Sequence, residues 1–194
     1  MKVVVVSDNY GSQGESWPCS WYIVADSALS NSGKPFFIPE GEPEVEVSLS
    51  MAIRFSRLGK YIAPKFVGRY FKEVAPALHF RLPEEMKKCR EYELPISRAV
   101  SFDRSVIADK YTQLEDSLDN LKLDLKINGE EVMKLDVGDF KQPIEAVVNE
   151  YSKTNTIKIG DVMLPCIAPG IKVKTGDYLE TGICGETFFS VQIK

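Results

Sequence analysis

Between Glu44 and Phe55 polar and apolar residues alternate, with Ala52 the one apolar residue on the polar face. Val45, Val47, Leu49, Met51, Ile53 and Phe55 fall on one face, and Glu44, Glu46, Ser48, Ser50, Ala52 and Arg54 fall on the other. Successive side chains of a strand point to opposite sides, so this pattern predicts a long β-strand. Its apolar face belongs to a core, and a slip of one residue would turn all of that face outward, so the register is pinned. The other face carries two small hydroxyls at its centre, which limits the chemistry that can be built there.

Shorter elements surround this strand. Val3–Val6 reads as a buried strand that ends in the turn-rich stretch Ser7–Ser16, and Trp21–Val24 reads as a second apolar run. Asn31-Ser32-Gly33-Lys34-Pro35 is a turn leading into Phe36-Phe37-Ile38. Gly59-Lys60 breaks the alternation, and Pro64 is predicted to open a helix. Phe66, Val67, Tyr70, Phe71 and Val74 recur there at helical spacing, with Pro76 as its stop and Ala77–Phe80 as a short strand. Pro83–Glu93 is charged and expected to be helical or partly mobile. Its Lys87, Lys88 and Arg90 are interleaved with glutamates, which marks a solvated face. Leu121, Leu123, Leu125 and Ile127 alternate with polar residues and run into Asn128-Gly129, a hairpin turn. Pro143 begins a helix with Ile144, Val147, Val148 and Tyr151 on one face. Short strands at 162–167, 178–184 and 187–193 close the chain. Helices and strands do not alternate strictly, so the class is α+β and rich in β-structure.

Composition narrows the function classes. The 194 residues suit one domain over 1–194, with 44% hydrophobic and 27% charged residues as in a globular protein. A net charge of -4 offers no basic face for nucleic acid. No apolar run approaches the length of a membrane span, and Val3–Val6 is too short for the core of a signal peptide, so a cytoplasmic protein is expected. Cys19, Cys89, Cys166 and Cys184 show no paired spacing and read as free thiols. A Cys19 or Cys166 nucleophile acting with histidine is the sharper alternative. Only one histidine is present, His79, which excludes a multi-histidine metal centre. Any Ser-His-Asp or Cys-His mechanism would have to run through it.

The order of segments in the closing third is distinctive. Ile127-Asn128-Gly129-Glu130-Glu131 is followed by the helix at Pro143–Lys153, then by Ile157-Lys158-Ile159-Gly160-Asp161-Val162-Met163, Pro169-Gly170 and Lys174-Thr175-Gly176-Asp177. Earlier stand Lys34-Pro35-Phe36-Phe37-Ile38-Pro39, Arg57-Leu58-Gly59-Lys60, Lys65-Phe66 and Arg69-Tyr70-Phe71. From Met1 to Lys194 this arrangement resembles the fumarylacetoacetate hydrolase family in its short bacterial form. The resemblance implies a mixed-sheet β-sandwich roll with a few helices, paired as a homodimer.

The family's active members hold Mg²⁺ or a similar cation through an E-x-E pair on the strand before the RLGK segment, plus an aspartate on a later strand. Here those positions are Ser48, Ser50 and His79, neutral groups that make poor ligands for a hard cation. Glu44 and Glu46 form another E-x-E on that strand, but using them would need a two-residue shift. Gln13 stands nearest the family's general-base histidine, and an amide cannot take a proton at neutral pH. Val24 and Val100 replace family lysines. Pro165-Cys166-Ile167-Ala168 replaces the TGTP loop, and of the NTSDM segment Asp136–Phe140 keeps only Asp139.

Scaffold kept and chemistry lost lead to the expectation of a divergent, catalytically inactive member with a binding or structural role and no cofactor. A small carboxylate ligand is expected in a cleft lined by Gln13, Ser48, Ser50, His79, Arg81, Asp103 and Asp139. The alternative is an active hydrolase, isomerase or decarboxylase of small oxo-acids, of the acylpyruvate or oxaloacetate type. In that case Mg²⁺ or Mn²⁺ would serve it, or Arg81 or Arg54 would supply the cation, with His79 as a base oriented by Asp103 or Asp139. A third reading is an interaction module that dimerises through an apolar surface.

Overall fold

A computed structural model describes residues 1–11, 20–114, 118 and 121–194. The strands are β1 (Val3–Ser7), β2 (Ser20–Val24), β3 (Leu29–Ser30), β4 (Val45–Phe55), β5 (Phe71–Arg81), β6 (Val106–Ala108), β7 (Thr112–Gln113), β8 (Lys122–Ile127), β9 (Glu130–Asp136), β10 (Val162–Leu164), β11 (Ile171–Val173), β12 (Tyr178–Ile183) and β13 (Glu186–Gln192). The helices are α1 (Pro83–Glu91), α2 (Ser97–Val100) and α3 (Ile144–Thr154). Among the described residues no helix is long and apolar enough to cross a membrane.

The larger sheet runs β2-β1-β10-β4-β5-β6-β3, with β11 also on β4 and β7 also on β5. The two ends of that path, β2 and β3, are neighbours in sequence, separated only by Ala25 and the 3-10 turn Asp26–Ala28. Five residue steps reach at most about 18 Å. Seven strands laid flat would spread about 29 Å. The sheet therefore curls into a roll with its edges drawn together. Strands in such a sheet are covered on both sides and read as apolar runs. Val4 and Val6 of β1 face one core and Val3 and Val5 the other.

The major core lies outside the roll, beneath the smaller sheet β13-β12-β8-β9 and α3. Val45, Val47, Leu49, Met51, Ile53 and Phe55 all point into it, as their alternation predicts. Leu123, Leu125, Leu179, Phe189 and Val191 meet them from the smaller sheet, and Ile144, Val147, Val148 and Tyr151 from α3. The hairpin between β8 and β9 turns on Asn128 and Gly129, both left-handed at φ 54° and 84°, the conformation an Asn-Gly type I′ turn demands. The roll's interior is lined by Ala52, Ala75, Ala77, Ala108 and Val106, residues small enough for a tightly curved sheet.

One predicted element is different. The helix expected from Pro64 through Val74 is a 3-10 turn, Pro64–Arg69, after which the chain extends at once into β5. Phe71 and Val74 are buried as strand residues, and Pro76 lies within the strand opposite Met51 rather than ending a helix. A proline lacks the N–H that a central strand must donate. Phe80 N donates away from β4 to Ser105 O. Alternate residues face alike, so the nitrogen of Pro76 points the same way. Pairing with β6 ends at Ala77 and pairing with β7 begins at Val74. The missing N–H falls in the gap between them.

Candidate functional site

Along the inside of the roll, Glu46, Ser48, Ser50, Ala52 and Arg54 of β4 stand opposite Arg81, His79, Ala77, Ala75 and Glu73 of β5. The interior is thus small and apolar in the middle with an arginine-glutamate pair at each end. Ser48, Ser50 and His79 are wholly buried. Ser50 Oγ donates to Cys166 O, so that hydroxyl is committed to the backbone. Arg81 Nη2 donates to Ser48 Oγ at 2.9 Å and lies 3.6 Å from Glu46 Oε2. The loop between β10 and β11 crosses this pair at Gly170, where a Cβ would strike Glu46 Oε2 and Arg81 Nη2. Only glycine lets the backbone pass so close.

His79 Nε2 is 3.2 Å from Val100 O, an acceptor, which assigns the proton to Nε2 and leaves Nδ1 as a bare acceptor. Burial, helped by the nearby Arg81 charge, pushes its pKa down to about 3, so the ring is neutral. The Tyr22 ring lies 5.8 Å from it, centroid to centroid. Burial raises the phenol pKa, with Arg81 opposing, so Tyr22 stays a proton-bearing donor. Tyr22 Oη, His79 Nδ1 and Arg81 Nε make no hydrogen bond within the described protein.

Above them opens a cleft of about 460 Å³ whose wall includes Asp8, Tyr10, Tyr22, Arg81, Arg90 and Lys141. The buried Asn9 holds its rim in place. Asn9 Nδ2 donates to Pro165 O at 2.8 Å and to Gln142 O at 3.1 Å, and Asn9 Oδ1 accepts from Gln142 N at 2.8 Å. Gly11 N donates to Asp139 O at 2.8 Å. With its neighbour clamped, Asp8 takes a left-handed conformation, φ 59°, where β1 ends. Aspartate tolerates this region better than most residues. Three cationic side chains and one carboxylate around a small cleft suit a small anionic ligand.

The structure brings Ser48, His79 and Arg81 together, with Ser50 on the same face. It places the two expected orienting carboxylates elsewhere. Asp103 lies in a separate groove with Phe37 and Arg104. Asp139 Oδ2 accepts from Asp136 N in a capping box and lines a groove beside Lys122 and Cys184. Neither orients His79; the Val100 carbonyl does. Arg54 belongs to the far end of the roll. Cys166 is buried, and desolvation raises its thiol pKa, which leaves it unsuited to nucleophilic attack. Gln13 and Cys19 lie outside the described residues. Arg90, expected on a solvated face, lines the cleft instead, while Asp8, Tyr10, Tyr22 and Lys141 carry no functional signal in the sequence beyond the turn at the Asp8-Asn9 strand end.

No protein-family model matches the chain. It is 26% identical to the Homo sapiens mitochondrial oxaloacetate tautomerase FAHD1 over 198 residues, spanning 94% of this chain and 87% of the relative. A Yersinia pestis CO92 protein described as of the fumarylacetoacetate hydrolase family has the same fold, with a TM-score of 0.91, 23% identity and coverage of 100% of this chain and 93% of that one. The fumarylpyruvate hydrolase of Pseudomonas aeruginosa, in complex with Mn²⁺ and pyruvate, superimposes with a TM-score of 0.90, 16% identity and coverage of 100% and 89%.

The last of these corrects the expectation that no cofactor belongs here, since this fold accommodates Mn²⁺ together with a 2-oxo acid. The described donors around Ser48 are nevertheless unlike those a hard cation takes. They are two hydroxyls, an imidazole with one nitrogen spent on Val100, and a carboxylate, Glu46, held by Arg81. Among the described residues no three His, Cys, Asp or Glu side chains gather as a ligand set.

Proposed function

Because this chain belongs to the fumarylacetoacetate hydrolase family, we propose that it is an enzyme of small 2-oxo dicarboxylic acids, interconverting the keto and enol forms of an oxaloacetate-like substrate. The expectation of an inactive member yields to the alternative, because the similar proteins are named as enzymes. One observation carries the reading: the cleft sets Arg81, Arg90 and Lys141 around a space suited to a small diacid.

Tautomerisation breaks the C3–H bond and forms an O–H bond at C2, with no net gain or loss of atoms. The chain has to hold two carboxylates, take a proton at carbon and supply one at oxygen. Arg81, Arg90 and Lys141 hold the carboxylates by charge and hydrogen bonding. Asp8, an exposed carboxylate on the rim, is placed to take the C3 proton. Tyr22, kept protonated by burial, is placed to supply the proton at oxygen.

The test follows enol loss in freshly dissolved oxaloacetate by ultraviolet absorbance, with Mn²⁺ and with EDTA in parallel. Exchange accelerated by the wild-type chain and not by Arg81→Met supports the reading. No acceleration in either mixture overturns it. Acylpyruvate hydrolysis in the same mixtures separates a C–C hydrolase from a tautomerase.

A further inference from the structure

Three buried polar atoms on neighbouring residues have no partner in the described protein: Tyr22 Oη and Arg81 Nε, whose residues belong to the cleft wall, and His79 Nδ1, whose ring is wholly buried. A buried polar group left unpaired is costly, and most such groups in folded proteins find a partner. These three are also neighbours. His79 and Arg81 are two residues apart on one face of β5. Arg81 reaches back to Ser48, the residue directly across from His79. Tyr22 leans over the imidazole at 5.8 Å and joins Arg81 in the cleft wall.

Their chemistry is not symmetrical. Arg81 Nε–H only donates, Tyr22 Oη–H donates or accepts, and His79 Nδ1 only accepts, since Nε2 carries the proton toward Val100 O. A ketone or carboxylate oxygen would satisfy the two donors and leave Nδ1 bare. A hydroxyl oxygen accepts from Arg81 or Tyr22 and gives its own hydrogen to Nδ1. We infer that Tyr22, His79 and Arg81 form a subsite for a carbon-bound hydroxyl next to a carboxylate, the group that an enol or a 2-hydroxy acid carries and a 2-oxo acid lacks. The inference rests on the oxo-acid reading and deepens it, since a subsite matched to the enol hydroxyl favours that tautomer over the ketone. A neutral imidazole is required, and the low pKa of His79 supplies one. The charged and titratable groups facing it are Arg81 on its own strand and Tyr22 on β2.

L-Malate and succinate are suitable probes, because both are four-carbon diacids and they differ only by the 2-hydroxyl. With a single histidine in the chain, ¹⁵N spectra of the imidazole report this site unambiguously. Malate is expected to bind about tenfold more tightly than succinate, the worth of one good hydrogen bond. It should also move the Nδ1 resonance, which succinate leaves in place. His79→Phe should reduce that preference to near unity while succinate binding persists. Should this variant not fold, the wild-type spectra decide the matter alone. Equal binding of the two diacids with an unmoved Nδ1 signal overturns the subsite while the oxo-acid reading stands. Binding of neither, with no oxaloacetate exchange, removes both.

Discussion

The same two strands carry the same ion pair twice, and the two ends of the roll use it differently. At one end Arg54 stands across from Glu73, at the other Glu46 stands across from Arg81. Arg54 donates from Nε at 2.8 Å and from Nη2 to a single Glu73 oxygen, and its guanidinium lies 4.2 Å from the centre of the Tyr111 ring. That is a completed structural contact, with ion pairing and cation–π packing on a side chain 41% exposed. Arg81 is more enclosed, 14% exposed, yet its glutamate is 3.6 Å away, one nitrogen is spent on Ser48 and Nε has no partner in the protein. Donors already used by the fold stabilise it, whereas donors left over inside a cleft are available to a ligand. The distinction lies in what surrounds each pair, since residue type and register are alike.

The largest contrast is expected from removing each guanidinium in turn. Arg81→Met should lower kcat/KM for oxaloacetate exchange by about 100-fold, the worth of a lost charge-assisted contact, with little change in melting temperature. Arg54→Met should do the reverse, lowering the melting temperature and sparing exchange. Side-by-side calorimetry and kinetics check both, and equal kinetic losses would erase the contrast. Gly170→Ala should come next. The added methyl presses on Glu46 and Arg81 and should reduce exchange by about tenfold through misplacement alone. Gly68→Ala, where a Cβ meets nothing, is the control expected to leave exchange intact.

Acid should then separate the two ends. The pKa of His79 is depressed when folded, so the unfolded chain binds one more proton between its ordinary value near 6.5 and about 3. Stability is therefore fully present above about pH 6.5 and falls as pH drops toward 3, at up to about 1.4 kcal/mol per pH unit. With no second histidine, loss between pH 6.5 and 5 belongs to this ring, and His79→Phe should flatten that part of a denaturation-versus-pH curve. The smallest effect is expected at Tyr111, whose enclosed hydroxyl has no partner in the described protein. Tyr111→Phe should leave stability unchanged within about 0.5 kcal/mol by urea titration, whereas Tyr22→Phe should weaken malate binding.

Much of the frame was legible because it rests on local periodicity. β4, the Asn128-Gly129 hairpin and α3 each declare themselves through spacing alone. Phe66 to Val74 misled because Val67, Phe71 and Val74 fit a helical spacing, while their burial comes from a turn followed by a strand. Pro76 misled further, since its tolerance depends on a gap between β6 and β7 that no local pattern announces. In the site, Ser48 and His79 are reached through the family resemblance, and Arg81 through its nearness to His79 in sequence. Asp103 and Asp139 were not separable from them in sequence, because the loops that carry them are placed by capping and long-range contacts. Tyr22 was invisible for the same reason. It reaches the cleft because β2 pairs with β1 at one end of the sheet.

The parallel pairing of β1 with β10 has a consequence for how the chain matures. Among the described residues, β2 joins the sheet only through β1, and β1 joins it only through β10. During synthesis the first two strands must wait for nearly the whole chain to emerge before they find their place. Such distant partners slow folding. Until they dock, Tyr22 and Asp8 are absent from the cleft wall, so the cleft is completed only when the N-terminal strands find β10.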